Sequence, residues 1–210
     1  ELDLERLKAL FHRYLETDAS EFSNQLYRAR IQPDDSALLL NEMGCPSAVN
    51  AKNGRANPVG IPYFYAASNP ETAIAETRPH PGDLLSVARF KVVSSLRLLN
   101  LMHPRKTISP FAVEDENELL TLRHDLAFLC HLESELSKPI LPRVADLEYL
   151  PTQYLCEFIK NCDYDGVVFK SSISIGANIT LFDDLKVRAE ALTKHEVTKL
   201  RYEQKEWLAS

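Results

Sequence analysis

Excess positive charge is the first thing this chain lacks. Its 210 residues carry 24 lysines and arginines against 30 aspartates and glutamates, a formal net charge of -6. A general nucleic-acid binder needs a basic field, so that class is excluded for the chain as a whole. A local basic pocket for a phosphate-bearing small molecule survives the exclusion. Paired cysteines are lacking too. Cys45, Cys130, Cys156 and Cys162 form no C-x-x-C, which removes the zinc ribbon and the thioredoxin-type motif. Reduced thiols in a cytoplasmic protein are the expectation. No run approaches the roughly 18 consecutive apolar residues of a membrane span. The first residues do not read as a signal peptide. The chain opens Glu1-Leu2-Asp3 without a methionine, so a trimmed piece of a longer protein, short of an upstream domain, is among the expectations. Internal repeats, low-complexity tracts and clear linkers are also missing.

What is there suffices for one domain, because 45% of the residues are hydrophobic. Leu4, Leu7, Phe11 and Leu15 recur at helical spacing, so residues 2–15 read as an amphipathic helix. "QLYRARIQ", 25–32, alternates and reads as a strand. Residues 33–60 are turn-rich, with one helical turn expected near Ser36–Glu42. A strand is predicted over 61–67. A helix then opens at Asn69-Pro70-Glu71 and must stop by Arg78, ahead of Pro79. Strands follow at 84–93 and 96–101, and helices at 115–136 and 152–161. Three more strands are expected at 166–170, 178–182 and 194–202. Few of these connections are βαβ crossovers. The predicted class is α+β, with a mixed, mostly antiparallel sheet core and flanking helices.

Glycine is scarce, yet residues 54–79, "GRANPVGIPYFYAASNPETAIAETRP", hold two of the six glycines and four of the twelve prolines. Two readings of this segment stand. In one it is a packing unit: a turn, a half-buried strand and a short helix whose glutamate pairs with a nearby arginine. In the other it lines a pocket. Tyr63 and Tyr65 share one strand face, a surface suited to a flat ring. The helix returning from that strand carries Glu76 back over the same face. Arg55, in a Gly-Arg-Ala-Asn-Pro turn, can clamp a phosphate or carboxylate, and Arg28 and Arg30 add further cations. His124 and His131, seven apart on a predicted helix, lack a third ligand at metal spacing, so packing or solvent exposure is expected of them.

Taken together, "LYRAR", the run 54–79 and "YDGVVFKSS" with "GANITLF" resemble the RES domain family over roughly residues 24–202. That family is named for an arginine, a glutamate and a serine. The matching positions are Arg55, Glu76 and Ser171, with Ser172 as the alternative serine, and Tyr65 matches the family's tyrosine. The resemblance implies a fold like that of ADP-ribosyltransferases. It divides the chain into an N-terminal helical extension, 1–20, and an NAD-binding catalytic domain, 21–210. It implies degradation of NAD+ at the nicotinamide–ribose bond, with inorganic phosphate or water as acceptor. It also implies a growth-inhibiting role neutralised by a helix-turn-helix antitoxin; a missing upstream inhibitory domain is the alternative restraint. On this reading Arg55, Tyr65, Glu76 and Ser171 are catalytic, while Arg28, Tyr63 and Asn178 bind NAD+. No metal or resident cofactor is expected, and the leucine-rich helix 115–136 leaves a homo-oligomer or antitoxin surface open. ADP-ribose transfer to a macromolecule and a non-catalytic nucleotide-binding or docking module remain as alternatives.

Overall fold

The structure is a computed structural model and describes residues 4–36, 38–107, 115–140 and 145–201. The chain runs α1 (Leu4–Tyr14), β1 (Glu16–Thr17), β2 (Gln25–Ile31), β3 (Phe64–Ala67), α2 (Pro70–Glu76), β4 (Leu84–Val92) and β5 (Leu98–Asn100). It continues with α3 (Pro104–Thr107), α4 (Glu116–Ser137), α5 (Ala145–Glu148), α6 (Leu150–Asn161), β6 (Gly166–Lys170), β7 (Ala177–Leu181) and β8 (Val187–Glu196). The eight strands form one sheet in the order β1-β5-β6-β7-β3-β2-β4-β8. Every neighbouring pair is antiparallel except β5 and β6. The α+β class with a mixed, mostly antiparallel sheet is therefore what the chain builds.

Alternation along the strands puts a separate apolar layer on each sheet face. One layer joins Tyr63, Leu99, Val167 and Phe169 to α1, α4 and α6. The other gathers Leu26, Phe64, Phe90, Val168 and Ile179 around Met43 and Leu96. In α1 the buried stripe is Leu7, Leu10 and Phe11, while Leu4 is exposed. The four cysteines are free thiols, and Cys156 and Cys162 are buried.

Local signals placed several elements well. Asn69 accepts from the Thr72 amide at 2.8 Å, Pro70 takes the first helical position, and α2 ends at Glu76. Arg78 then turns left-handed, at φ 51°, before Pro79. Others needed correction. The predicted strand 194–202 lies earlier, at β8, and pairs with β4 along nearly its whole length; residue 202 is outside the described residues. Exposed charges on its outer face blur the alternation there. The helical turn expected near Ser36–Glu42 is a short 3-10 turn at Leu40–Met43. The strand predicted from 61 starts only at Phe64.

One feature of the sheet positions the site. β2 and β3 are central neighbours, yet they share a single register pair, Tyr27 opposite Ala67. β2 pairs with β4 over seven residues and β3 with β7 over four. The ladder between β2 and β3 therefore stops before Arg28 would meet Ala66 and Ala29 would meet Tyr65.

Candidate active site

Two cavities meet at this split. One of about 320 Å³ is lined by Arg28, Arg55, Tyr65, Glu76, Tyr149 and Asn178, among others. A second of about 910 Å³ lies beyond Arg28 and Tyr65, which line both, and is bordered by Arg30, Lys52 and Tyr63. The first cavity is lined by three arginines, Arg28, Arg55 and Arg78, and by one carboxylate, Glu76. A chain of net negative charge thus carries a locally basic pocket, as charge arithmetic over the whole sequence cannot reveal.

Glu76 closes α2, where a carboxylate sits at the negative end of the helix dipole, an unfavourable place. Two neutral donors hold it there. The Ser171 hydroxyl and the Asn178 amide each donate to Oε1 at 2.7 Å. Ser171 follows the end of β6 and Asn178 lies near the start of β7. The site therefore forms only because β6 and β7 pair and β7 lies beside β3. Among the described residues no hydrogen bond reaches Oε2 of Glu76, which leaves that oxygen's acceptor capacity intact.

Ser171 turns its hydroxyl to Glu76. It is buried, its proton goes to Glu76, and its oxygen accepts the amides of Ile173 and Ser174 at 3.2 and 3.0 Å. A hydroxyl so occupied has its one proton on the carboxylate and its acceptor capacity taken by two amides. The neighbouring Ser172 is exposed and lines the cavity.

Arg55 is aimed by a turn held from every side. The Gly54 amide donates to the Asn57 carbonyl at 2.9 Å. On α6, Thr152 donates to the Arg55 carbonyl at 2.6 Å, and Gln153 donates to the carbonyls of Gly54 and Asn57 at 2.8 and 3.0 Å. The Tyr65 hydroxyl donates to the Asn57 side chain at 2.5 Å and accepts the Ala56 amide at 3.0 Å. A β-carbon on Gly54 would stand 2.5 Å from that phenolic oxygen, so only glycine lets the phenol in. Burial pushes the Tyr65 pKa upward, and the phenol stays neutral. The Arg55 guanidinium donates to the carbonyls of Glu135 and Lys138 at 3.2 and 2.9 Å, at the C-terminal end of α4. It also stands 5.6 Å from the Tyr149 ring centroid. Two of its five N–H donors are so engaged. Burial lowers its pKa, and Tyr149 and Glu76 pull the other way.

Arg28 is the odd one. Its Nη1 is buried without a hydrogen-bond partner among the described residues, and its guanidinium carbon lies 5.1 Å from the Phe64 ring centroid. Burial first, then Arg30, pull its pKa down to about 10, so it is still a cation at neutral pH.

Tyr63 is the residue the structure removes from this cavity. It shares a sheet face with Tyr65, but it precedes β3, is 1% exposed, and packs on Phe182 with centroids 5.0 Å apart. Its hydroxyl donates to Glu157 on α6 at 2.6 Å. Period 2 predicted its face correctly but not its depth. Reasoning from sequence also missed Asn57, Thr152, Gln153 and Tyr149. All but Tyr149 are buried polar residues, and no motif marks them. His124 and His131 are exposed, and among the described residues no group of three or more His, Cys, Asp or Glu could hold a metal ion.

The chain belongs to the RES domain family, whose model matches residues 25–204. Among solved structures it is similar to a chain of the M. tuberculosis MbcT–MbcA toxin–antitoxin complex. The TM-score is 0.51 and the sequence identity 13%, over 92% of this chain and 91% of that one. At that identity the likeness shows the fold. No curated protein matches the chain.

Proposed function

We propose that this protein degrades NAD+ by cleaving the bond between nicotinamide and ribose, and that it acts as a growth-inhibiting toxin restrained by a protein antitoxin. The carrying observation is the Glu76 corner. A carboxylate with one oxygen tied to Ser171 and Asn178 lines a cavity whose other charged lining residues are three arginines. That pattern suits a substrate in which a cationic reacting centre is joined to anionic phosphates.

The chemistry balances without a general acid. The electron pair of the C–N bond moves onto the pyridinium nitrogen, so nicotinamide leaves neutral. Positive charge grows on the ribose, as in other glycosyl transfers. Glu76, fixed in advance by neutral donors, stabilises that charge and holds the ribose hydroxyls. Arg28 and Arg55 take the phosphate oxygens. An anion would give the buried Nη1 of Arg28 the acceptor that it lacks. Tyr65 and Tyr149 present aromatic surface to the rings. The acceptor oxygen bonds to the ribose C1. Water gives ADP-ribose and one proton; inorganic phosphate gives ADP-ribose 1″-phosphate.

A partner fits the rim. Val49 and Val59 line the second cavity and are 96% and 73% exposed. Exposed Leu147 and Leu150 flank Tyr149, and exposed Ile173 and Ile175 follow Ser172. Exposed apolar groups bordering a polar cleft mark a protein-binding surface, and the related fold was solved in a toxin–antitoxin complex. Among the described residues no helix is long and apolar enough to cross a membrane.

The test is product analysis of purified protein with NAD+, with and without phosphate. Release of nicotinamide, with ADP-ribose or its 1″-phosphate, is expected. Unchanged NAD+ over hours, or ADP-ribose found attached to a macromolecule, would overturn the reading.

A further inference from the structure

We infer that Thr72 and Ser174 are positioning residues for Glu76, acting through a clasp between α2 and the loop joining β6 to β7. The inference rests on the proposed role of Glu76. Thr72 and Glu76 lie four residues apart, so they share one face of α2, one turn from each other. Each grips the same loop. Glu76 accepts from Ser171 at 2.7 Å, and the Thr72 hydroxyl meets the Ser174 hydroxyl at 2.9 Å. The two grips are linked, because the Ser174 amide donates to the Ser171 oxygen at 3.0 Å. Thr72 is fully buried, so its hydroxyl has no water to fall back on.

The surroundings fit a joint built for close approach. The Ser68 amide donates to the Ala177 carbonyl, and the Ala177 amide donates to the Ser68 hydroxyl, both at 3.0 Å. The Ser171 amide closes the loop on the Gly176 carbonyl at 3.1 Å. A β-carbon on Gly176 would stand 2.6 Å from the Asn69 side-chain nitrogen and would also collide with the Thr72 hydroxyl. The loop is thereby pressed onto the first turn of α2, with the Ser171 hydroxyl pointing at Glu76. Without the Thr72–Ser174 bond the loop keeps its fold, but Ser171 no longer has one fixed aim. A misaimed carboxylate lowers the rate of a step that depends on prearranged charge.

The test compares Thr72→Val, which keeps the shape and loses the hydroxyl, with Thr72→Ser, which keeps the hydroxyl. Thr72→Val and Ser174→Ala should each lower kcat for NAD+ consumption about tenfold, the scale of one hydrogen bond, with KM within about twofold. Thr72→Ser should restore kcat, and the double variant should be no worse than either single one. Hydrogen exchange reads the clasp without any turnover: the amides of Ile173 and Ser174 should lose protection in Thr72→Val. Parent kcat in Thr72→Val, equal losses in Thr72→Val and Thr72→Ser, or unchanged protection of those amides would each overturn the inference. A parent protein that leaves NAD+ intact would instead sink the proposed function, and the exchange result would still decide on the clasp.

Discussion

The two cavities share a wall, Arg28 and Tyr65, and differ in almost everything else. The larger, of about 910 Å³, carries cations and amides but no carboxylate. The smaller, of about 320 Å³, is lined by Glu76 and three arginines. Volume therefore does not identify the reactive side. Under the proposed function, what marks that side is a charged group held against its local preference, a carboxylate at a helix C-terminus secured by donors from two distant strand ends. Holding such a group takes long-range contacts, and their presence indicates where a fold has been shaped for chemistry.

Three substitutions sharpen or break this comparison. The largest effect is expected for Glu76→Gln on the smaller side. The amide oxygen still accepts from Ser171 and Asn178, so the thermal transition should be unchanged. NAD+ consumption should fall on the order of a thousandfold or more, the scale of losing prearranged charge stabilisation. A folded variant consuming NAD+ at the parent rate would refute the assignment. On the shared wall, Tyr65→Phe strands the buried Ala56 amide and the Asn57 side chain. It should cost about 1–3 kcal/mol, measured by thermal denaturation as a Tm lowered by several degrees. An unchanged Tm would mean that the phenol does not organise the Arg55 turn. The smallest effect belongs to the larger cavity. Lys52→Ala should leave kcat and KM for NAD+ within about twofold, since an exposed cation there interacts weakly across water. A tenfold rise in KM would extend the substrate into that side.

Particular residues show how far the sequence could be read. Asn69 and Pro70 placed the start of α2 and Pro79 bounded its end, because capping and proline geometry are local. The alternation of Tyr63 and Tyr65 told their shared face correctly. It could not tell that α6 would cover Tyr63 while the gap between β2 and β3 opened beside Tyr65. Arg55, Glu76 and Ser171 were singled out as residue types at suggestive positions. That Ser171 binds Glu76, and that Arg55 also caps the end of α4, depends on contacts across 95 residues of chain in the first case and 80 and 83 in the second. The strand β8 was misplaced by several residues because one exposed face weakens its pattern.

The sequence by itself determined the local pieces: the α+β class, the capped helix that ends in Glu76, the turn that carries Arg55, and the net charge that excludes a broad basic surface. These follow from short-range sterics, periodicity and composition. Only the tertiary structure decided which of two neighbouring tyrosines borders the smaller cavity and which of two neighbouring serines holds the carboxylate. It also brought three arginines and one glutamate to the lining of a single cavity within an acidic chain. Those outcomes depend on sheet order and on where a ladder stops, and strand pairing over long separations is written in no single segment.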